Sequence, residues 1–504
     1  TISGNVFAET VNVTGTGTLA LGGTVTSDTK LDFQTAATVT AAGDITTALV
    51  DFGADGTLTM AANKKIVGAV STTAADGNGT LTFTATTTDT TLVSGAVGAA
   101  ANDLKAINVA PASGVTVTFG GAVEAQTVTT SGAGTLKFGS TFKGAGVISG
   151  GGTIDAVDSI TGSVDNTGTD GTGTLTLAAG KTISGAVGAT NALATVNLNS
   201  TGNIALGGAI KATTVNVGGT GVATFNGDVT GNVNFTAAGT VTLGADEKVV
   251  GSVTTSADGQ GTLTITTNTA ATIYVSGDVG SSSAALLALN VAPDAGVVST
   301  FDGNVFARTI TLTAAGATDG VNFKGNITAA TALNFAADGI LNLNGTTAQS
   351  ITGPITATTT NNGDITVNNT AGVTFTGKIG VNGANEIGDI TLATGTETTF
   401  QETVDAQTLI LTGTSNVTVN KAVTLIGALN TANGNVVNLG SALVGGTTVF
   451  NPADSTAVLD QTAGAVTVNP NAAFTSGTVT LLANGAALDA ADLASFTVTD
   501  TVLV

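Results

Sequence analysis

The chain has no cysteine, no histidine and no tryptophan, and only one methionine, one tyrosine and five prolines in 504 residues. Arginine occurs once, at Arg308. These absences exclude whole classes of chemistry. Without cysteine there is no disulfide, catalytic thiol or thiolate metal site. Without histidine there is no Ser-His-Asp or Cys-His apparatus, no imidazole ligand and no histidine pH switch. Tyr274 and 18 phenylalanines are the only aromatics, which leaves few platforms for stacking bases or sugars. The net charge of −21 opposes nucleic acid, whose phosphates require clustered Lys and Arg. No run of about 18 apolar residues offers a membrane-spanning helix, and no signal peptide is visible.

What the chain does have is about 100 threonines, 70 glycines and a 42% hydrophobic fraction. That fraction is too high for a disordered coil. Val, Ile, Leu, Ala and Phe alternate with Thr and Asn, a strand-forming composition with one face inward and one to water. Gly173-Thr174-Leu175-Thr176-Leu177 and Gly261-Thr262-Leu263-Thr264-Ile265 are clear instances. Gly, Asn and Asp interrupt the runs every six to ten residues, as corners would.

Repetition overturns the count of about three domains that length alone suggests. Thr1-Ile2-Ser3-Gly4-Asn5-Val6 returns around Gly68, Gly162, Gly185, Gly231, Gly251 and Gly353. Successive copies are separated by close to three, four, one, two, one and five steps of a common unit. That unit is about 20–23 residues long, which suits one turn of a β-solenoid. A second motif, Phe-x-Gly-x-Val/Ile, begins at Phe119, Phe225, Phe301, Phe323 and Phe375. Stacked turns would align these phenylalanines into an internal ladder, with the glycines at corners that need positive φ or close backbone approach. Residues 51–130 match 234–312 in motif order: Ile107-Asn108-Val109-Ala110-Pro111 answers Leu289-Asn290-Val291-Ala292-Pro293. The chain grew by copying blocks of about four turns.

The expected fold is all-β: a right-handed parallel β-helix, a β-solenoid of about 20–23 residues per turn. The repetitive rod would cover 1–445. A β cap over 446–504, where the motifs fade and Pro452 and Pro470 occur, would close the open end. Three short segments carry helical signals: Ala101–Lys105, Ser283–Leu287 and Asp489–Leu493. The first two are read as small turns bulging from insertions near 99–110 and 281–292. The opening residues already belong to the recurring motif, as a piece of something larger would.

With the Ile-Ser-Gly-Asn-Val, Phe-x-Gly-Asn-Val and Gly-Thr-Leu-Thr repeats in view, the chain resembles the passenger region of rickettsial-type surface antigens. In style it is similar to the outer membrane protein B group of alphaproteobacterial autotransporters. The resemblance implies export, an extracellular cell-surface location associated with the outer membrane, and a role as a surface layer or adhesin. The family's C-terminal barrel has no counterpart in the strands that end at Val504.

Candidate chemistry is sparse. Carbohydrate-acting β-helices need converging carboxylates, usually with basic partners. Asp155, Asp158, Asp165 and Asp170 form one group and Glu397, Glu402 and Asp405 another, with no arginine near either. They read as solvated corner and face residues, so no catalytic residue is assigned and no enzyme is expected. Structural calcium on turn oxygens is conceivable chemistry. However, the Gly-Gly-x-Gly-x-Asp array is absent, Gly150–Asp155 is a lone partial likeness, and no metal ligand is named. Gly150-Gly151-Gly152 lacks the Gly-Lys-Ser/Thr of a phosphate loop. Lys64, Lys65 and Lys248 read as residues that blunt a turn's edge. The expected function is structural: a surface protein that assembles with itself into a layer or filament, with no cofactor. The alternative is an adhesin for a host or neighbouring cell, and a polysaccharide enzyme is third.

Overall fold

The computed structural model describes residues 1–420 except 200, 267–272, 295, 314–315, 317–318, 382–383 and 413, and beyond 420 the backbone of the strand segments alone. The described residues form strands and turns, with no helix, stacked as a parallel β-solenoid of about 20 residues per turn. They fall into two compact units, Thr1–Val241 and Thr242–Val504.

In the first unit each turn is laid on the last with inward residues in register. Ile45 sits over Ile66 and Val50 over Val70. On a neighbouring sheet Leu19, Val39, Leu58, Leu81, Ile107 and Val128 stack as one column. All but Leu19 are buried. Alternation explains why: in Thr57–Met60 the burial runs half-buried, buried, half-buried, buried, so Leu58 and Met60 enter the core while Thr57 and Thr59 face out. Fully burying a side chain of this size is worth ~1.5–3 kcal/mol, gained again at each turn.

The expected phenylalanine ladder is present in segments. Ring centroids lie 4.7 Å apart for Phe33 and Phe52 and 6.2 Å for Phe119 and Phe138, and within one turn Phe138 also stacks on Phe142 across the corner at 4.4 Å. In the second unit Phe301 stacks on Phe323 at 5.1 Å, and Phe375 on Phe400 at 5.0 Å. The strands bearing Phe301 and Phe323 pair directly, one turn apart.

Turn length varies more than the repeats suggest. The turn that carries Phe142 onto Ile160 is short, whereas the one that carries Ile66 onto Val93 is half as long again. The duplicated block has long turns, and its copy also has them: Val253 pairs with Val279 across a turn of nearly the same length. The extra length goes into corners, which tolerate insertion because they do not set the register of the strands.

Two of the expected helical turns are not helical. Ala99 and Asn102 close a tight turn by paired backbone hydrogen bonds (3.2 and 2.8 Å), and Leu104–Val109 then enters the sheet as a strand. Ser281 and Ala284 do the same (2.9 and 3.2 Å) before Leu286–Val291. Five residues are too few to nucleate a helix when a ladder partner is available on both sides. In the segments near 99–110 and 281–292 the bridged turns thus form corners, and the strands that follow are integral to the stack. Asp489–Leu493 lies outside the described residues, as does most of the expected cap. Within 446–504 Ser455–Gln461 still pairs in parallel with Gly477–Ala483 and Val466–Val468 with Phe496–Val498, while Ala486–Ala487 folds back antiparallel on Gly477–Ala483.

Two kinds of corner glycine occur. Gly68 has φ 144°, and a Cβ there would collide with the Thr47 carbonyl of the preceding turn. Gly121, in the phenylalanine motif, has no left-handed φ; its hydrogen faces backbone, and a Cβ would lie 2.6 Å from Gly95 C and Ala96 N. Gly114, by contrast, has φ 77° with open space around it. Gly114→Ala is expected to cost only the conformational strain of ~1–2 kcal/mol, and Gly68→Ala substantially more, because the turns must also separate. Thermal unfolding of the two variants side by side checks the order.

Candidate functional site: corner carboxylates and a threonine face

The acidic residues singled out from the sequence do not converge. Asp155 points outward from Thr153–Ala156, with Lys137 Nζ 3.9 Å away. Asp158 receives Lys181 Nζ at 2.9 Å and the Ser159 amide at 2.7 Å. Asp165 accepts from the Thr190 amide one turn on, at 2.8 Å, and Asp170 from the Ala192 amide at 2.7 Å. In the second unit Glu397 is exposed, Glu402 half-buried and Asp405 buried. Among the described residues no group of three acidic side chains is placed to hold a metal ion. Lys65 donates its amide to Asp44 (3.1 Å), and Lys64 follows the positive-φ residue Asn63 in the same tight turn.

What the sequence reading missed is a shared task for these side chains. A corner Asp or Asn repeatedly accepts the backbone N–H of the turn that follows. In the first unit Asp76 holds Asp103 N at 2.8 Å and Asp89 holds Thr116 N at 2.7 Å. In the second unit Asp258 holds Ala285 N at 3.0 Å and Asp278 holds Asn304 N at 2.7 Å; Asn304 then holds Asn326 N at 2.9 Å, and Asn326 holds Ser350 N at 2.8 Å. Corners are where strand ladders stop, so backbone donors there need side-chain acceptors. The signal was present as Asp and Asn recurring one turn before a strand start. It is hard to see because the turn length changes.

Charge enters this network at two places. The hydrogen bond from Lys181 to Asp158, helped by the Ser159 amide, holds that carboxyl below the ordinary aspartate range. Arg308, 2.9 Å from Asp258, does the same there, helped by the Ala285 amide. A carboxyl whose pKa is lowered by folding contributes stability above its unfolded value, near 3.9, and loses it as pH falls through the folded value. Both groups are solvent-exposed, so each contribution is small. Asp364 is shifted the other way, raised by burial against the pull of the Asp389 amide. The melting temperature is expected to decline from about pH 4 downward. Asp158→Asn and Asp258→Asn should each flatten that decline, measured by thermal unfolding across the acid range.

In the duplicated block one pair of core residues departs from the aliphatic pattern. Aligning the duplicated blocks puts Tyr274 at the place of Leu92 and Ser299 at that of Val117. Tyr274 and Ser299 are both fully buried, and among the described residues neither hydroxyl has a well-formed hydrogen-bond partner. Burial pushes the phenol up to about 12, with the neighbouring Ser299 hydroxyl pulling the other way. An acid raised by folding destabilises the fold once the unfolded form ionises, so stability should fall between pH 10 and 12. Ultraviolet titration of this single tyrosine should show ionisation coupled to unfolding. Tyr274→Phe should abolish that alkaline loss and be neutral or stabilising at pH 7, because it removes a buried hydroxyl with no partner.

The outward surface of the first unit is more ordered than any cluster within it. Thr116, Thr135, Thr153, Thr174, Thr195 and Thr214 pair in one column across six successive strands. Two residues along lies a second column: Thr118, Lys137, Asp155, Thr176, Asn197 and Asn216. All of these are half-buried, standing on a fully buried layer that includes Val117, Leu136, Ile154 and Leu175. Asn216 donates to Asn197 at 3.0 Å, so part of the column is tied by its own amides.

No family model matches the chain, and no solved structure matches it. The chain is 30% identical to the protein named Outer membrane protein A of Rickettsia rickettsii, across 93% of its own length. It spans only 20% of that relative. This relative is a protein A, whereas the repeat style resembles the protein B group. Over nearly all its length, then, this chain is similar to a rickettsial outer membrane antigen, and its β-solenoid fits the passenger-type resemblance read from its repeats.

Proposed function

We propose that the chain is a structural cell-surface protein that associates with further copies of itself into a layer or filament. The observation that carries this reading is the in-register face of Thr and Asn in the first unit, interrupted only by the neighbouring Lys137 and Asp155. A repetitive surface can make the same weak contact many times, and summed weak contacts hold a layer that no single contact would. The corner carboxylates support it too, since those traced above are occupied in joining turn to turn and are dispersed along the fold. Function then resides in shape and contact instead of catalysis. The similarity to a protein named for the outer membrane favours a surface or outer-membrane location.

Electron microscopy of the purified chain at micromolar concentration, with and without calcium, is the test. Ordered arrays or filaments are expected. Isolated particles under every condition, together with binding to host or neighbouring cells, would replace this reading with an adhesin.

A further inference from the structure

Four successive strands of the first unit, Thr116–Phe119, Thr135–Phe138, Thr153–Ala156 and Thr174–Leu177, pair without any shift of register. Their outward pairs are Thr116 with Thr118, Thr135 with Lys137, Thr153 with Asp155, and Thr174 with Thr176. The two outer strands are alike. The two middle strands differ only in the sign of one charge, at the same place along the strand. Consider turning a second copy over about an axis that lies in this face, runs parallel to the strands and passes between the two middle ones. Thr116 then meets Thr174, Thr118 meets Thr176 and Thr135 meets Thr153. Lys137 of each copy meets Asp155 of the other.

We propose that this face is a self-complementary docking surface for a second copy of the chain, with its register set by two crossed Lys137–Asp155 pairs. The proposal rests on the self-association reading above and names its contact. Three observations carry it. The chain has a net charge of −21, so copies repel over most of their surface, whereas these eight outward positions sum to zero. Next, Lys137 and Asp155 are only loosely joined within one chain, at 3.9 Å, with side chains 39% and 30% exposed, so each can take a second partner. Finally, a two-fold contact demands that the patch be its own complement, and this sequence of outward residues meets that demand. Four strands about 4.8 Å apart, two outward residues wide, cover far less than the ~800 Å² per partner of a stable complex. The contact is therefore weak in solution, favoured by crowding and by salt of about 0.15 M, which screens the net repulsion between copies more than it screens a close pair.

The absence of cysteine makes a direct test clean. Thr135→Cys and Thr153→Cys variants, mixed and oxidised, are expected to form the mixed disulfide in excess over either homodimer. Sedimentation in about 0.15 M salt, where the net repulsion between copies is screened, gives a second readout. Lys137→Asp alone and Asp155→Lys alone should each weaken self-association at least tenfold. The mixture of the two should recover it, because each then meets its opposite across the interface. A purely intramolecular role for the pair predicts no recovery on mixing. If wild type assembles and neither charge variant changes that, this face is not the contact, although the assembly reading stands. If wild type does not self-associate at all, both fall. Thermal unfolding of each variant confirms that the fold is intact, and the outward threonine-to-cysteine changes do not touch the core.

Discussion

Everything in this fold depends on the parallel ladder between one turn and the next. A single turn has no second layer of its own to bury its inward residues, and its backbone donors and acceptors point along the stacking direction. The ladder satisfies the backbone and brings like residues over like, Leu58 over Leu81 and Phe301 over Phe323. Core and backbone bonding therefore form together or not at all. This also explains the composition. A chain whose stability comes from repeating one contact needs aliphatics and phenylalanine inside, threonine outside and a few residue types at corners. Residues whose chemistry is singular, such as His, Cys and Trp, have no repeated place in it.

The strands and their facing were legible because alternation with period two is local. Gly-Thr-Leu-Thr-Leu at 173–177 folds as the strand Thr174–Leu177 with Leu175 and Leu177 buried. The phenylalanine ladder was legible because Phe301 and Phe323 stand one repeat unit apart in the sequence. Corners were not. A corner's conformation depends on which backbone lies beneath it, and that is set by residues a full turn away. Hence Ala101–Lys105, helical by composition, is a bridged turn and strand, and the turn from Ile66 to Val93 is longer than any motif spacing suggested. Asp165 and Asp170 read as solvated charges because the amides they hold, those of Thr190 and Ala192, belong to the next turn of the stack.

The candidate site was legible only by exclusion. Asp155, Asp158, Asp165 and Asp170 are grouped in sequence and were read as solvated corner and face residues, since successive corners and faces of a solenoid point in different directions. The threonine face went unread as a surface for a related reason. Thr116, Thr135, Thr153 and Thr174 are unevenly spaced along the chain, so no fixed period reveals them as one column until the register is known.

The duplicated block carries a consequence for how such a chain changes over time. Leu92 and Val117 in one copy are Tyr274 and Ser299 in the other, a larger residue on one turn matched by a smaller one on the next. In a stacked core, volume is shared between storeys. A residue can grow only if the one above or below it shrinks, so substitutions at inward positions are expected to be inherited as vertical pairs. Outward positions such as Lys137 and Asp155 have no such obligation to the core, and there sequence is free to record what the surface meets.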